Sequence, residues 1–279
     1  MTKRTIRIAL VQHAAGADAA ENLDRALEAM GRAAEAGAKL VAFPELAVTR
    51  FFPQFENADN ADAVAEPIPG PTADRIAARA GELGLVTVFN MYELDESTGN
   101  RYDSSPVFDA DGSLLGVTRM VHITEYACFH EQRYYDLGDR GAPVYQTSIG
   151  RVGVAICYDR HYPEYMRALG VASAELVVIP QAGAEGEWPE GLFEAEVQTA
   201  AFQNGYFAAL CNRVGQEERL TFAGESFIVD PGGGVVARAA SGAEDLLITD
   251  LDLGECKASH ARSLFWRDRR PGLYRDWLA

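Results

Sequence analysis

The chain has 279 residues, 48% of them hydrophobic, and carries 41 acidic side chains against 25 Lys and Arg, for a net charge of −16. That length supports one α/β domain with an extensive core, expected to span residues 1–279, while the acidic balance excludes a phosphate-backbone binder and leaves no basic stripe for nucleic acid. No apolar run approaches the length that crosses a bilayer, so no membrane association is expected. Cys128, Cys157, Cys211 and Cys256 have neither metal-ligand nor paired secretory spacing, which fits separate thiols in a reducing, cytoplasmic setting.

Strand and helix patterns alternate from the start. Ile6, Ile8 and Leu10 predict a first strand, and Leu23, Leu27, Met30 and Ala34 then repeat at helical spacing until Gly37. Leu40–Phe43 reads as a strand, 53–71 as a long loop, Pro71–Leu83 as a helix capped by Gly84, and Leu85–Phe89 as a strand. Asp109 to Gly112 predicts a hairpin turn joining Pro106–Phe108 to Leu114–Met120.

Further on, Val152–Cys157 reads as a buried strand, followed by a helix from Pro163, a strand Glu175–Pro180, a helix Pro189–Gln203 and a strand Tyr206–Cys211. Cys211, inside an apolar run, reads as core packing. Asp230–Gly234 predicts a second hairpin between Ser226–Val229 and Val235–Arg238. This mixture of hairpins and strand–helix units predicts two sheets packed face to face with helices outside. The segment 264–279 is rich in Trp, Phe, Tyr and Arg, which suits docking on another subunit or packing on its own core.

Cys157 is the most informative residue. It ends an apolar run and precedes the helix-start signature Pro163-Glu164, so a thiol near the positive end of a helix dipole, with a lowered pKa, is expected there. Glu45 follows Phe43-Pro44 at the end of the predicted strand. A carboxylate in a dry pocket is a competent base for a thiol that is only partly ionised at neutral pH.

The fragments RIALVQ (7–12), AKLVAFPEL (38–46), RYDSSPVFDADG (101–112), HEQRYYDLGD (130–139), GVAICYDRHYPE (153–164), NRVG (212–215), GESFIVDPGG (224–233) and RRPGLY (269–274) together resemble the nitrilase, or carbon–nitrogen hydrolase, superfamily. The resemblance runs nearly end to end. It implies a four-layer αββα sandwich and a thiol hydrolase built on Glu, Lys and Cys. Cys157 would be the nucleophile, Glu45 the general base, and Glu131 the additional glutamate that positions lysine and substrate.

The chain departs from the family pattern at the lysine. Where the pattern has Arg-Lys-x-His, this segment reads Arg119-Met120-Val121-His122, and the chain's lysines are Lys3, Lys39 and Lys257. Without the cation, Glu45 and Glu131 are expected to have raised pKa values. His122, His130 and Arg133 are the candidates for a relocated cation, and the backbone N–H of Tyr158 is a candidate oxyanion donor.

The stretch CYDRHYP resembles N-carbamoyl amino acid amidohydrolases, which implies that Arg160 reads a substrate carboxylate; a salt bridge to Asp159 or Glu164 is the alternative. Trp188, with its neighbours 181–190, and His130 would shape the substrate pocket. The expected substrate is a linear amide or N-carbamoyl amine or amino acid, cleaved through an acyl- or carbamoyl-cysteine. A non-catalytic binder and an acyltransferase remain the alternatives. Neither cofactor nor metal is expected, and the resemblance implies a homodimer or higher homo-oligomer.

Overall fold

Alternation along the first strand sets the architecture. The computed structural model describes residues 3–59 and 61–277. In Thr5–Gln12, Ile8 and Leu10 join the large core between two sheets, whereas Ala9 and Val11 join the layer beneath the first helices. Adjacent side chains on a strand point to opposite faces, so a continuous apolar run is buried on both. Leu176–Gln181 repeats the device: Leu176 and Val178 face the inter-sheet core, and Val177 and Ile179 face helices.

The first sheet runs in the order Asp245–Asp252, Thr5–Gln12, Leu40–Ala42, Val86–Val88, Arg101–Phe108, Met91–Leu94, with Leu114–Arg119 pairing Arg101–Phe108. The second runs Val235–Arg238, Phe227–Val229, Phe207–Asn212, Leu176–Gln181, Gly150–Val154, Val144–Thr147. Helices Ala19–Glu35 and Pro71–Leu83 cover the first sheet, and Pro163–Val171 and Leu192–Asn204 cover the second. This is the αββα sandwich. Asp18 caps the first helix through Ala20 N and Glu21 N, and Gly84 closes the second at φ 66°.

Several boundaries differ from expectation. The strand before Cys157 stops at Val154, and the helix expected from Pro189 begins at Leu192 after Gly191 turns left-handed. Sequence reasoning missed Val144–Thr147 and Met91–Leu94, which are short, and Asp245–Asp252, whose pattern is mostly exposed or half-buried. The loop 53–71 contains short 3-10 turns. The helix Pro271–Trp277 has no buried residue, and Trp277 is 68% exposed, so the described part of 264–279 does not pack this helix into the chain's own core. Residues 278 and 279 lie outside the described part.

Candidate active site

Two turns at the carboxyl ends of parallel strands carry the candidate residues Glu45 and Cys157, the position at which open α/β sheets place ligands. Leu40–Ala42 runs parallel to both its neighbours and leads through Phe43 and Pro44 to Glu45. Leu46 has φ 47°, and its N–H donates to Asn90 Oδ1 at 2.6 Å. The Arg213 guanidinium donates to the carbonyls of Glu45, Leu46 and Thr49. Glu45 therefore sits on a turn held from two sides.

Gly150–Val154 runs parallel to Leu176–Gln181 and leads to Cys157, which has φ 42°. A non-glycine residue in that left-handed region stores of order 1–3 kcal/mol of strain, a feature that clusters at functional sites. Arg160 Nη1 clamps the turn by donating to Cys157 O and Gln181 Oε1, both at 2.9 Å. Gln181 Nε2 in turn donates to Cys157 Sγ at 3.2 Å. Cys157 begins a five-residue 3-10 turn, and the α-helix starts only at Pro163.

Cys157, Glu45 and Glu131 are brought together: their donor atoms lie within 4.8 Å of one another. Glu45 and Glu131 are fully buried, and Cys157 is 4% exposed. These three are also the atoms that could hold a metal ion. A fourth acid, Asp103, completes the cluster and was not singled out from the sequence. It is fully buried, accepts from Asn90 Nδ2 at 2.6 Å, and lies beside Met120, whose N–H donates to Asp103 O at 2.9 Å. Asp103 and Met120 continue the register that pairs Ser104 with Arg119. Asp103, Gln181 and Asn90 form the part of the site that the sequence reading missed, although RYDSSP was among the fragments that carried the resemblance.

His122, His130 and Arg133, the cations expected to replace lysine, are all engaged elsewhere, and so is Arg119, which precedes the lysine position. Arg119 bonds Glu93, Asp95 and Asp139. His122 Nδ1 meets Asp159 Oδ1 at 2.7 Å, with its ring stacked on Tyr162. His130 and Arg133 both turn to Glu125. The lysines at 3, 39 and 257 are exposed, and Met120 is fully buried. Arg160 forms its ion pair with Glu196, at 3.6 Å, and not with Asp159 or Glu164, while its guanidinium lies over Phe193.

The electrostatics follow. Burial, reinforced by the neighbouring Glu131 charge, pushes the Glu45 carboxyl up to about 8. Burial also raises Asp103 and Glu131 well above the carboxylate range, with Glu45 and Asp103 respectively adding to it. The Cys157 thiol is pushed up, first by burial and then by Glu45 and Glu131, and Arg160 only partly opposes this. The lowered thiol pKa expected from a helix dipole is therefore overturned: no α-helix starts at Cys157, and burial, with the neighbouring acids adding to it, raises the thiol.

This cluster predicts a pH dependence. With Glu131→Gln, one like charge leaves both Glu45 and Cys157, so the midpoint of Cys157 alkylation moves to lower pH. Alkylation rates followed by mass spectrometry between pH 6 and pH 10 read the midpoint. An upward or absent shift would mean that Cys157 does not feel the Glu131 charge.

Around the thiol, Trp188 Nε1 donates to Glu187 Oε1, which also accepts from Tyr126 OH. Tyr158 is half-buried against His161 and Tyr162. A cavity of about 640 Å³ is lined by Ala184, Trp188, Phe193, Asn212, Glu225 and others, but not by Cys157, Glu45 or Glu131. The candidate site is drawn instead from the acid–thiol cluster, whose ligand atoms lie within 4.8 Å of one another.

The αββα sandwich, with Glu45 and Cys157 brought together from two strand ends, is the arrangement to set beside known proteins. Residues 7–261 match the family described as Carbon-nitrogen hydrolase, and the chain belongs to that family within the nitrilase superfamily. It is 32% identical over 289 residues to the N-carbamoylputrescine amidase of Solanum lycopersicum, covering 99% of this chain and 95% of that protein. The carbon-nitrogen hydrolase from Helicobacter pylori G27 superposes with a TM-score of 0.91 at 29% identity, covering 99% of both chains. A mutant amidase from Nesterenkonia sp. AN1, with covalent addition of the acetamide moiety of fluoroacetamide at its active-site cysteine, superposes with a TM-score of 0.81 at 27% identity, covering 98% of this chain and 96% of that one.

Proposed function

We propose that this carbon–nitrogen hydrolase cleaves a linear amide or N-carbamoyl amine or amino acid through an acyl- or carbamoyl-cysteine on Cys157. The observation that carries the reading is the buried approach of one thiol to Glu45 on a strained turn. Glu45 takes the thiol proton, the sulfur attacks the carbon, and the same carboxyl returns the proton to the departing amine. Water then enters, loses its proton to Glu45 and releases the thiol. The Tyr158 N–H is the proposed oxyanion donor, and Glu131 holds the substrate's N–H groups. Trp188 and His130 are proposed to border the pocket.

Arg160 is proposed as a positioning residue, because its partners are Cys157 O, Gln181 and Glu196. Ammonia release from a panel of amides, nitriles and N-carbamoyl amino acids tests these assignments. The expected result is turnover of at least one class, with Arg160→Ala lowering kcat for neutral and acidic substrates alike. A KM rise confined to N-carbamoyl acids would give Arg160 the substrate-carboxylate role instead. Silence on the whole panel would favour a non-catalytic binder, the reading that Met120 supports. A cytoplasmic homodimer or higher homo-oligomer covering Leu273 and Trp277 is part of the same proposal, and light scattering reads the oligomer.

A further inference from the structure

The acid cluster is electrically incomplete. Both Glu45 carboxylate oxygens, Glu131 Oε1 and Asp103 Oδ2 are buried without a hydrogen-bond partner among the described residues. Each belongs to a fully buried side chain. The lysine position holds the uncharged, fully buried Met120, whose N–H donates to Asp103 O, and the nearby arginines and histidines already have carboxylate or carbonyl partners. Buried carboxylates need donors and positive charge; Glu45 has only the Cys157 thiol, the Asp103 carboxyl and the Arg213 charge to offset its burial, and no cation stands at the lysine position, which holds Met120.

We propose that Cys157 attacks a cationic amidinium or guanidinium in preference to a neutral amide; the proposal rests on the thiol-hydrolase reading above. A neutral amide brings its carbonyl oxygen to the proposed Tyr158 N–H but brings no positive charge to the acids. An amidinium presents N–H donors from both nitrogens in one plane, a geometry that matches carboxylates bidentately. It also changes the charge logic of the reaction. Thiolate attack on an amide creates an oxyanion that needs stabilising. Attack on an amidinium moves the C=N electron pair onto nitrogen and neutralises an existing positive charge, so a lysine is not required.

The steps balance. Glu45 accepts the Cys157 proton as the S–C bond forms, then gives it to one nitrogen, and the C–N bond breaks with loss of ammonia. Water adds to the thioimidate carbon, its proton passes to Glu45, the C–S bond breaks and the thiol is restored. Overall an amidinium and water give an amide and an ammonium ion. From a guanidinium the product is a ureido group.

The test compares Cys157 alkylation by 2-chloroacetamide and by 2-chloroacetamidine, each rate divided by that of a free thiol. The expected result is a preference of at least about tenfold for the amidine in this chain, rising with pH as the carboxyls ionise. Met120→Lys is expected to reverse it. Equal or faster labelling by the amide would overturn the proposal while leaving Cys157 as the nucleophile. No labelling of Cys157 by either probe would overturn both readings. Labelling blocked by a retained divalent metal until chelation would assign the free oxygens to an ion, and would likewise overturn the proposal.

Discussion

Cys157→Ala is expected to abolish ammonia release, by roughly 10⁴-fold or more, because the proposed nucleophile is gone. Its effect on stability is expected to be small. Removing one buried sulfur costs on the order of 1 kcal/mol, and the chief polar interaction it removes is the Gln181 Nε2 hydrogen bond to Sγ. Cys157→Gly sharpens the prediction. Glycine has no penalty at φ 42°, so relief of strain offsets the missing hydrogen bond, and its Tm should match or exceed that of the alanine variant. Thermal unfolding and ammonia assays on the same preparations check both statements. Retained turnover in either variant would remove Cys157 from the mechanism, and a large drop of Tm in both would make it a packing residue.

Much of this site was legible in the sequence, and the illegible part has a physical cause. Glu45, Glu131 and Cys157 were recognisable because each lies in a compact fragment of fixed order, and all three meet within 4.8 Å. Met120 was visible as a departure for the same reason. Asp103 was not singled out, because an acid in a strand reads as a solvent-facing residue. Only the pairing of Arg101–Phe108 with Leu114–Arg119 sets it beside Met120. The thiol pKa failed for a related reason. Sequence shows a helix start at Pro163, but it does not show that Cys157 lies in a separate 3-10 turn surrounded by acids. The fold was read well where strands are buried on both faces, as in Leu40–Ala42 and Leu176–Gln181. It was read poorly at Asp245–Asp252, where pairing with Thr5–Gln12 and not burial makes the strand.

Met120→Lys carries the second large effect. An ammonium beside Glu45, Glu131 and Asp103 would add a charged oxyanion donor to the proposed Tyr158 N–H, so turnover of neutral amides should rise by about a hundredfold or more. The same substitution should change how stability depends on pH. In this chain the three carboxyls have folded-state pKa values raised above their unfolded values, with Glu45 at about 8. The folded state thus binds more protons than the unfolded one between about pH 4.5 and pH 8, and stability falls as pH rises through that window. The slope is up to about 1.4 kcal/mol per pH unit for each carboxyl that must ionise. A lysine ammonium stabilises the ionised forms, lowers those pKa values and flattens the fall. Urea unfolding from pH 5 to pH 9 reads the slope, and amide turnover reads the catalytic gain. A flat profile in the parent chain would show that water or an ion already compensates the acids. A steep profile in both proteins would mean that the new lysine does not reach them.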